Sequence, residues 1–118
     1  SIEAPAILKH GKYYYLFVNW GLCCRGVNST YEIRVGRSKS VTGPYLDKDG
    51  NDLATGGGSI LLGTGGDQIC PGHASFVTEK IDPLMFYHFY DRSRRGFATL
   101  GRRSLSWDKN GWPSLGAE

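Results

Sequence analysis

A chain of 118 residues with a formal charge of +3 is one small domain or part of a larger one, and so mild a charge argues neither for nor against an acidic partner. Its 17 glycines fall between aromatic and β-branched stretches, and no segment sustains the apolar period of an amphipathic helix. A helical bundle is therefore excluded, and an all-β protein with many turns is expected. No apolar run approaches the roughly 20 residues that a membrane-spanning helix needs. No signal peptide is visible, and an opening at Ser1-Ile2-Glu3 without an initiator Met suggests a processed chain or a piece of a longer parent.

In chain order, Ala4 to Lys9 reads as a short strand and His10-Gly11-Lys12 as a tight turn. Tyr13 to Trp20 is an apolar, aromatic strand, and Gly21 to Ser29 a loop carrying Cys23-Cys24-Arg25-Gly26. Thr30 to Ser38 alternates, with Tyr31, Ile33 and Val35 on one face and Glu32 and Arg34 on the other. Turns follow at Thr42-Gly43-Pro44 and Asp47-Lys48-Asp49-Gly50, then a strand at Ser59 to Leu62. The second half repeats the order: strands at His73 to Thr78, Leu84 to Tyr90 and Gly96 to Ser104, with turns at Lys80 to Pro83 and Trp107 to Pro113.

The halves also share wording. Val35-Gly36-Arg37-Ser38 answers Leu100-Gly101-Arg102-Arg103, and Asp47-Lys48-Asp49-Gly50 answers Asp108-Lys109-Asn110-Gly111. An offset of roughly 60 to 70 residues suits two blades of a β-propeller, each of four antiparallel strands, with boundaries near 1–65 and 66–118. A plain β-sandwich has similar short strands, but not this internal echo. The three cysteines include no C-x-x-C pair, which argues against structural zinc; adjacent Cys23 and Cys24 read as two reduced thiols rather than a disulfide.

The ordered motifs carry a resemblance. Glu3-Ala4-Pro5-Ala6-Ile7 followed by Gly11-Lys12-Tyr13-Tyr14-Tyr15-Leu16-Phe17-Val18 resembles the start of a catalytic blade in family-43 glycoside hydrolases. Cys23 to Tyr31, Val35 to Ser40, Thr42 to Tyr45, Pro71-Gly72-His73 and Leu105 to Pro113 are similar to the endo-acting arabinanases within it. The resemblance spans nearly the whole chain. It implies a five-bladed propeller, an axial active site, and inverting hydrolysis of arabinan or xylan polymers by an acid Glu, a base Asp and a second Asp that tunes the acid. By motif position Glu3 corresponds to the acid, and His73 to the histidine beside an axial metal ion, usually calcium. An extracellular or periplasmic location is implied on the same ground.

An inverting pair of carboxyl groups stands about 6.5–9.5 Å apart, so that a water fits opposite the leaving group. The acid is kept protonated by burial or by a neighbouring anion, and Glu3, opening an axial strand, is placed for either. The base and the modulating Asp are absent from this stretch, since the family carries them on earlier blades. Asp47, Asp49, Asp52 and Asp108 sit in turns, where carboxylates bind backbone N–H groups. Asp67 and Asp82 are also in loops, and Asp91 is expected to pair with Arg92 or Arg94. His10 reads as a solvated turn residue, His88 as half-buried among Tyr87, Phe89 and Tyr90. Arg92, Arg94, Arg95, Arg102 and Arg103 form a basic cluster, read as a charged sheet edge rather than a nucleic-acid surface. Trp20, Trp107 and Trp112 could stack on sugars, with Trp107 assigned to packing between blades.

Two blades alone leave apolar faces open, so self-association into a ring is expected: three copies for preference, two as the alternative. The two functional readings are a glycosidase acting on plant cell-wall arabinose or xylose polymers, with Glu3 as acid, and a non-catalytic sugar-binding or structural propeller.

Overall fold

The computed structural model describes residues 1–79 and 82–117, with Val27 as backbone only. Lys80 and Ile81, in the turn expected before Pro83, lie outside the described residues.

The chain forms two four-stranded antiparallel sheets, each a meander in sequence order, which is the form of a propeller blade. The first holds β1 (Ile2–His10), β2 (Tyr13–Trp20), β3 (Glu32–Ser38) and β4 (Ser59–Leu62). The second holds β5 (Gln68–Val77), β6 (Leu84–Asp91), β7 (Phe97–Trp107) and β8 (Pro113–Leu115). β5 begins five residues before the expected His73, because bulges on either side of Gly72 let the strand run through Pro71 without a ladder bond there. β8 was expected as part of a turn. Pro113 is its first residue, the one position in a strand where a missing N–H is easily tolerated.

Alternation along the strands builds the core between the sheets. Leu8, Tyr15, Phe17, Ile33 and Val35 of the first sheet pack on Ala74, Met85, Tyr87, Phe89, Leu105 and Trp112 of the second. Each such side chain contributes about 1.5–3 kcal/mol when fully removed from water. Polar contacts close the outer end of this interface. The Arg37 guanidinium lies 4.1 Å from the Tyr13 ring centroid and 4.2 Å from that of Trp112, and donates to the Asn110 carbonyl at 2.8 Å. Tyr15 donates its hydroxyl proton to the Gly111 carbonyl. Trp107 stacks on His10 at 4.0 Å, so His10 is a packed partner of the second sheet rather than only a solvated turn residue. The packing role expected for Trp107 is the one observed.

The internal echo has a structural counterpart. Asp47 Oδ1 accepts from the N–H groups of Asp49 and Asn51, and Asp108 Oδ1 accepts from those of Asn110 and Trp112. Gly50 and Gly111 take the left-handed conformation (φ +84° and +81°) at matching points of the two turns, one before β4 and one before β8. Asp52 caps Ala54 in the same manner.

Apolar surface remains on both outward faces. Leu16, Val18, Pro44, Tyr45 and Leu53 line a hollow of about 480 Å³ on the first sheet. Phe97 and Leu100 of β7 are 62% and 69% exposed. Since β8 pairs only with Leu105–Trp107, the preceding part of β7 has a free edge, where Arg102 is exposed. Arg103 instead turns inward, donating to the Tyr87 hydroxyl at 2.9 Å and the Gly116 carbonyl at 3.2 Å. Among the described residues no helix is long and apolar enough to cross a membrane.

Candidate functional site

Glu3 and His73 sit on the first strand of each sheet, and β1 lies against β5. Both strands are bulged at these points. The β1–β2 register shifts between Glu3 and Ala6, and the β5–β6 register shifts on both sides of Gly72. Ala4 (φ +56°) and His73 (φ +57°) both take the left-handed conformation that residues with a Cβ rarely adopt. A bulge re-aims the side chains next to it, and bulges concentrate beside active sites. Here they open a cleft of about 450 Å³ lined by Glu3, Cys23, Cys24, Tyr31, His73, His88, Tyr90 and Ala98.

Asn19 ties the two strands together. It stands opposite Glu3 in the β1–β2 ladder and is 1% exposed, within an otherwise apolar strand. Its Oδ1 accepts from the His73 N–H at 2.7 Å, and its Nδ2 donates to the carbonyls of Pro71 (3.2 Å) and Glu32 (2.9 Å). Both hydrogens and the carbonyl of the amide are thereby used. A Cβ on Gly72 would overlap the Tyr31 ring and the Asn19 amide, so the Pro71-Gly72-His73 run needs glycine at its centre.

Tyr31, His88 and His73 form a short aromatic ladder. The Tyr31 and His88 rings are parallel within 4° at 6.2 Å, and His73 meets His88 edge-on at 6.2 Å. Burial, with help from the neighbouring Glu3 carboxylate, pushes the Tyr31 phenol up to about 12, so it remains a proton donor at neutral pH. Burial, and then the neighbouring His73, lowers the pKa of His88, which stays an uncharged imidazole at neutral pH.

The Cys23–Cys24 pair departs from expectation: the two are joined as a disulfide between adjacent residues. Cys24 takes a left-handed backbone (φ +68°), and Cys23 packs against the cluster of Tyr31, Ile69 and Cys70. Cys70 is a buried free thiol whose Sγ donates to the Ser29 carbonyl at 2.6 Å. Asp91 does not pair with Arg92 or Arg94 among the described ion pairs; its Oδ1 accepts from the Ser93 N–H and hydroxyl and so begins the turn at Arg92–Arg94.

Glu3 is exposed, since β1 is a sheet edge with β2 on one side only. The two sheets by themselves therefore do not bury its carboxyl group. His73 is likewise exposed. Among the described residues no cluster of three or more His, Cys, Asp or Glu could hold a metal ion. Calcium takes about six to eight oxygen ligands. The cleft offers the imidazoles of His73 and His88, the Glu3 carboxylate and the Tyr31 hydroxyl, too few oxygen donors to make a calcium site by themselves.

The sequence profile of "Glycosyl hydrolases family 43" matches residues 1–113. The chain belongs to glycosyl hydrolase family 43. It is 47% identical over 115 residues to the extracellular exo-α-(1→5)-L-arabinofuranosidase ArbA of Cellvibrio japonicus, covering 98% of this chain and 33% of that protein. It is 46% identical to the extracellular endo-α-(1→5)-L-arabinanase 1 of Bacillus subtilis, covering 97% and 34%. Among solved structures, the Cellvibrio cellulosa α-L-arabinanase complexed with arabinohexaose superposes with a TM-score of 0.94 at 47% identity, over 98% of this chain and 36% of that one. An exo-1,5-α-L-arabinanase from a bovine ruminal metagenomic library gives a TM-score of 0.95 at 43% identity, over 99% and 39%. The family-43 chain described here thus spans about a third of the length of the curated relatives it matches.

Asn19, Tyr31 and the disulfide were not singled out from the sequence as site residues. One signal for Asn19 was available: an amide in the middle of Tyr13–Trp20 must find hydrogen-bond partners once that strand is buried.

Proposed function

We propose that this chain forms one wall of an arabinan-cleaving site, with Glu3 as the general acid. Glu3, protonated, donates to the glycosidic oxygen as the bond from that oxygen to the anomeric carbon breaks. A water attacks the opposite face of the sugar and gives its proton to a second carboxylate. The supporting observation is the shared cleft: Glu3 and His73, carried on the bulged first strands of neighbouring sheets, open into one space. Glu3 is the sole carboxylate lining that space among the described residues, so the base lies on a further blade. His73 and the Tyr31 hydroxyl supply hydrogen bonds to the sugar beside the acid. Calcium contact by His73 requires ligands from those further blades.

Further blades would also cover the apolar faces of the two sheets. Three copies of a two-sheet chain give six blades, within the range of about four to eight seen in closed propellers; light scattering of the full chain would then read a trimer. A monomer would place the missing walls elsewhere. An extracellular setting agrees with the names of two relatives and with an oxidised Cys23–Cys24 pair.

Hydrolysis of linear 1,5-α-arabinan is the test. Glu3→Gln is expected to slow it by about 100- to 10,000-fold, the usual worth of a general acid, with substrate affinity retained. Equal rates for the two proteins would remove Glu3 from the mechanism. The presence of a single carboxylate in the cleft favours one second reading, a propeller that binds arabino-oligosaccharides without cleaving them. Binding without turnover in the unmodified chain would establish it.

A further inference from the structure

The lining of the cleft combines two kinds of chemistry. Glu3, His73 and His88 offer groups that hydrogen-bond, and the disulfide of Cys23 and Cys24 offers an apolar, polarisable surface in the same lining. Sugar rings have the same duality, with hydroxyl edges that hydrogen-bond and C–H faces that pack on apolar, polarisable surfaces. We propose that the Cys23–Cys24 disulfide is a sugar-contacting platform of this site, on which the C–H face of a bound pentose rests, and that its reduction weakens carbohydrate binding. The proposal rests on the carbohydrate reading of the cleft and adds a subsite to it.

Three features fit a platform better than an incidental cross-link. The bond closes a small ring through the Cys23–Cys24 peptide, so it fastens no distant segments and adds little by restricting the unfolded chain. Its two halves are differently placed: Cys23 packs into the cluster of Tyr31, Ile69 and Cys70, while Cys24 is exposed. The loop beneath is fixed independently of the bond. The Leu22 N–H donates to Thr30 Oγ1 and the Thr30 N–H to the Leu22 carbonyl, both at 2.9 Å; the Arg25 N–H donates to Ser29 Oγ at 3.0 Å. Cys70 then holds the Ser29 carbonyl from below. With the loop so anchored, the disulfide governs mainly the shape and hardness of the surface at Cys24.

Reduction is a two-electron step. A dithiol such as dithiothreitol gives two electrons and two protons, the S–S bond becomes two thiols, and the reagent becomes its cyclic disulfide. Cys24 is then freed from the ring that holds it at φ +68°, a conformation residues with a Cβ avoid. The surface at Cys24 turns mobile and loses its fixed face.

The test is calorimetric titration of arabinohexaose into the full chain, oxidised and after dithiothreitol. Thiol counting in denaturant sets the starting state: one reactive thiol, from Cys70, before reduction and three after it. Reduction is expected to raise Kd about tenfold, equivalent to about 1.4 kcal/mol, with far-ultraviolet circular dichroism unchanged. Cys23→Ser/Cys24→Ser should reproduce the weak binding and abolish its redox dependence, and Cys70→Ala should keep that dependence. If the double variant fails to fold, the reduced wild-type protein carries the test alone. Equal Kd values for oxidised and reduced protein would overturn the platform while leaving the carbohydrate reading intact. Failure of the oxidised protein to bind arabinohexaose would overturn the carbohydrate reading, and the platform with it. Three reactive thiols before reduction would refute the disulfide itself.

Discussion

Replacing Asn19 with leucine keeps the size of the side chain and deletes its polar atoms, at a position 1% exposed to solvent. The His73 N–H then loses its acceptor, and the carbonyls of Pro71 and Glu32 lose a donor. A buried polar group left unpaired costs about 1–3 kcal/mol. Taking about 2 kcal/mol for the stranded amide donor and about 1 kcal/mol for the two carbonyls, which keep a second lone pair each, gives about 3 kcal/mol in total. With a urea m-value of about 1.5 kcal/mol per molar, the unfolding midpoint of Asn19→Leu falls by about 2 M, with the slope unchanged. The same variant should bind arabinohexaose more weakly, because the clasp holding the His73 backbone against the first sheet is gone. A loss below about 0.5 kcal/mol, the range of ordinary surface substitutions, would refute the reasoning that Asn19 joins the two sheets at the cleft.

Gly72→Ala drives a methyl group into the Tyr31 ring and the Asn19 amide, and thermal unfolding should report a loss of about 1–3 kcal/mol, the usual cost of overpacking. His88 gives the fold a pH dependence of definite sign: its folded pKa lies below the ordinary value, so the unfolded chain takes the proton first. Stability should therefore fall as pH drops below about 6.5, and urea midpoints of His88→Gln across that interval should be flatter than those of the parent. Below about pH 4, Asp47 adds a separate loss: burial alone would raise its pKa, but the N–H groups of Gly58, Asn51 and Asp49 outweigh it and hold the carboxyl below its ordinary value. Asp47→Ala should remove that acid limb. For calcium, the donor set around His73 predicts that EGTA leaves the melting temperature of the full chain unchanged, and a fall on chelation would show ligands reaching His73 from outside the cleft described.

Most of the fold could be read in the residues because its determinants are local. The alternation of Tyr31, Ile33 and Val35 against Glu32 and Arg34 assigns the faces of the β3 region directly, and the paired Asp-x-x-Gly turns mark the same corner of each blade. The bulged stretch from Gln68 to Gly72 was missed because its irregularity is settled by contacts from another sheet, through Asn19 and Tyr31. For the site, motif position identified Glu3 and His73 as candidates, and nothing local in the sequence links them. Their neighbourhood depends on a partner 54 residues away from His73 accepting its backbone N–H. The disulfide was misread for a related reason. The pairing of adjacent cysteines goes with a left-handed φ at Cys24, a local backbone conformation that residue types do not announce. Arg103 likewise looked like its neighbour Arg102 until the Tyr87 hydroxyl was seen to receive it.

A crystal structure of the full chain soaked with arabinohexaose would test the shared cleft most directly. The account predicts a sugar in the space between β1 and β5, with a glycosidic or hydroxyl oxygen within hydrogen-bond reach of Glu3 and the His73 side of the cleft on its flank. A sugar bound on an outer face of either sheet, with the cleft empty, would contradict it.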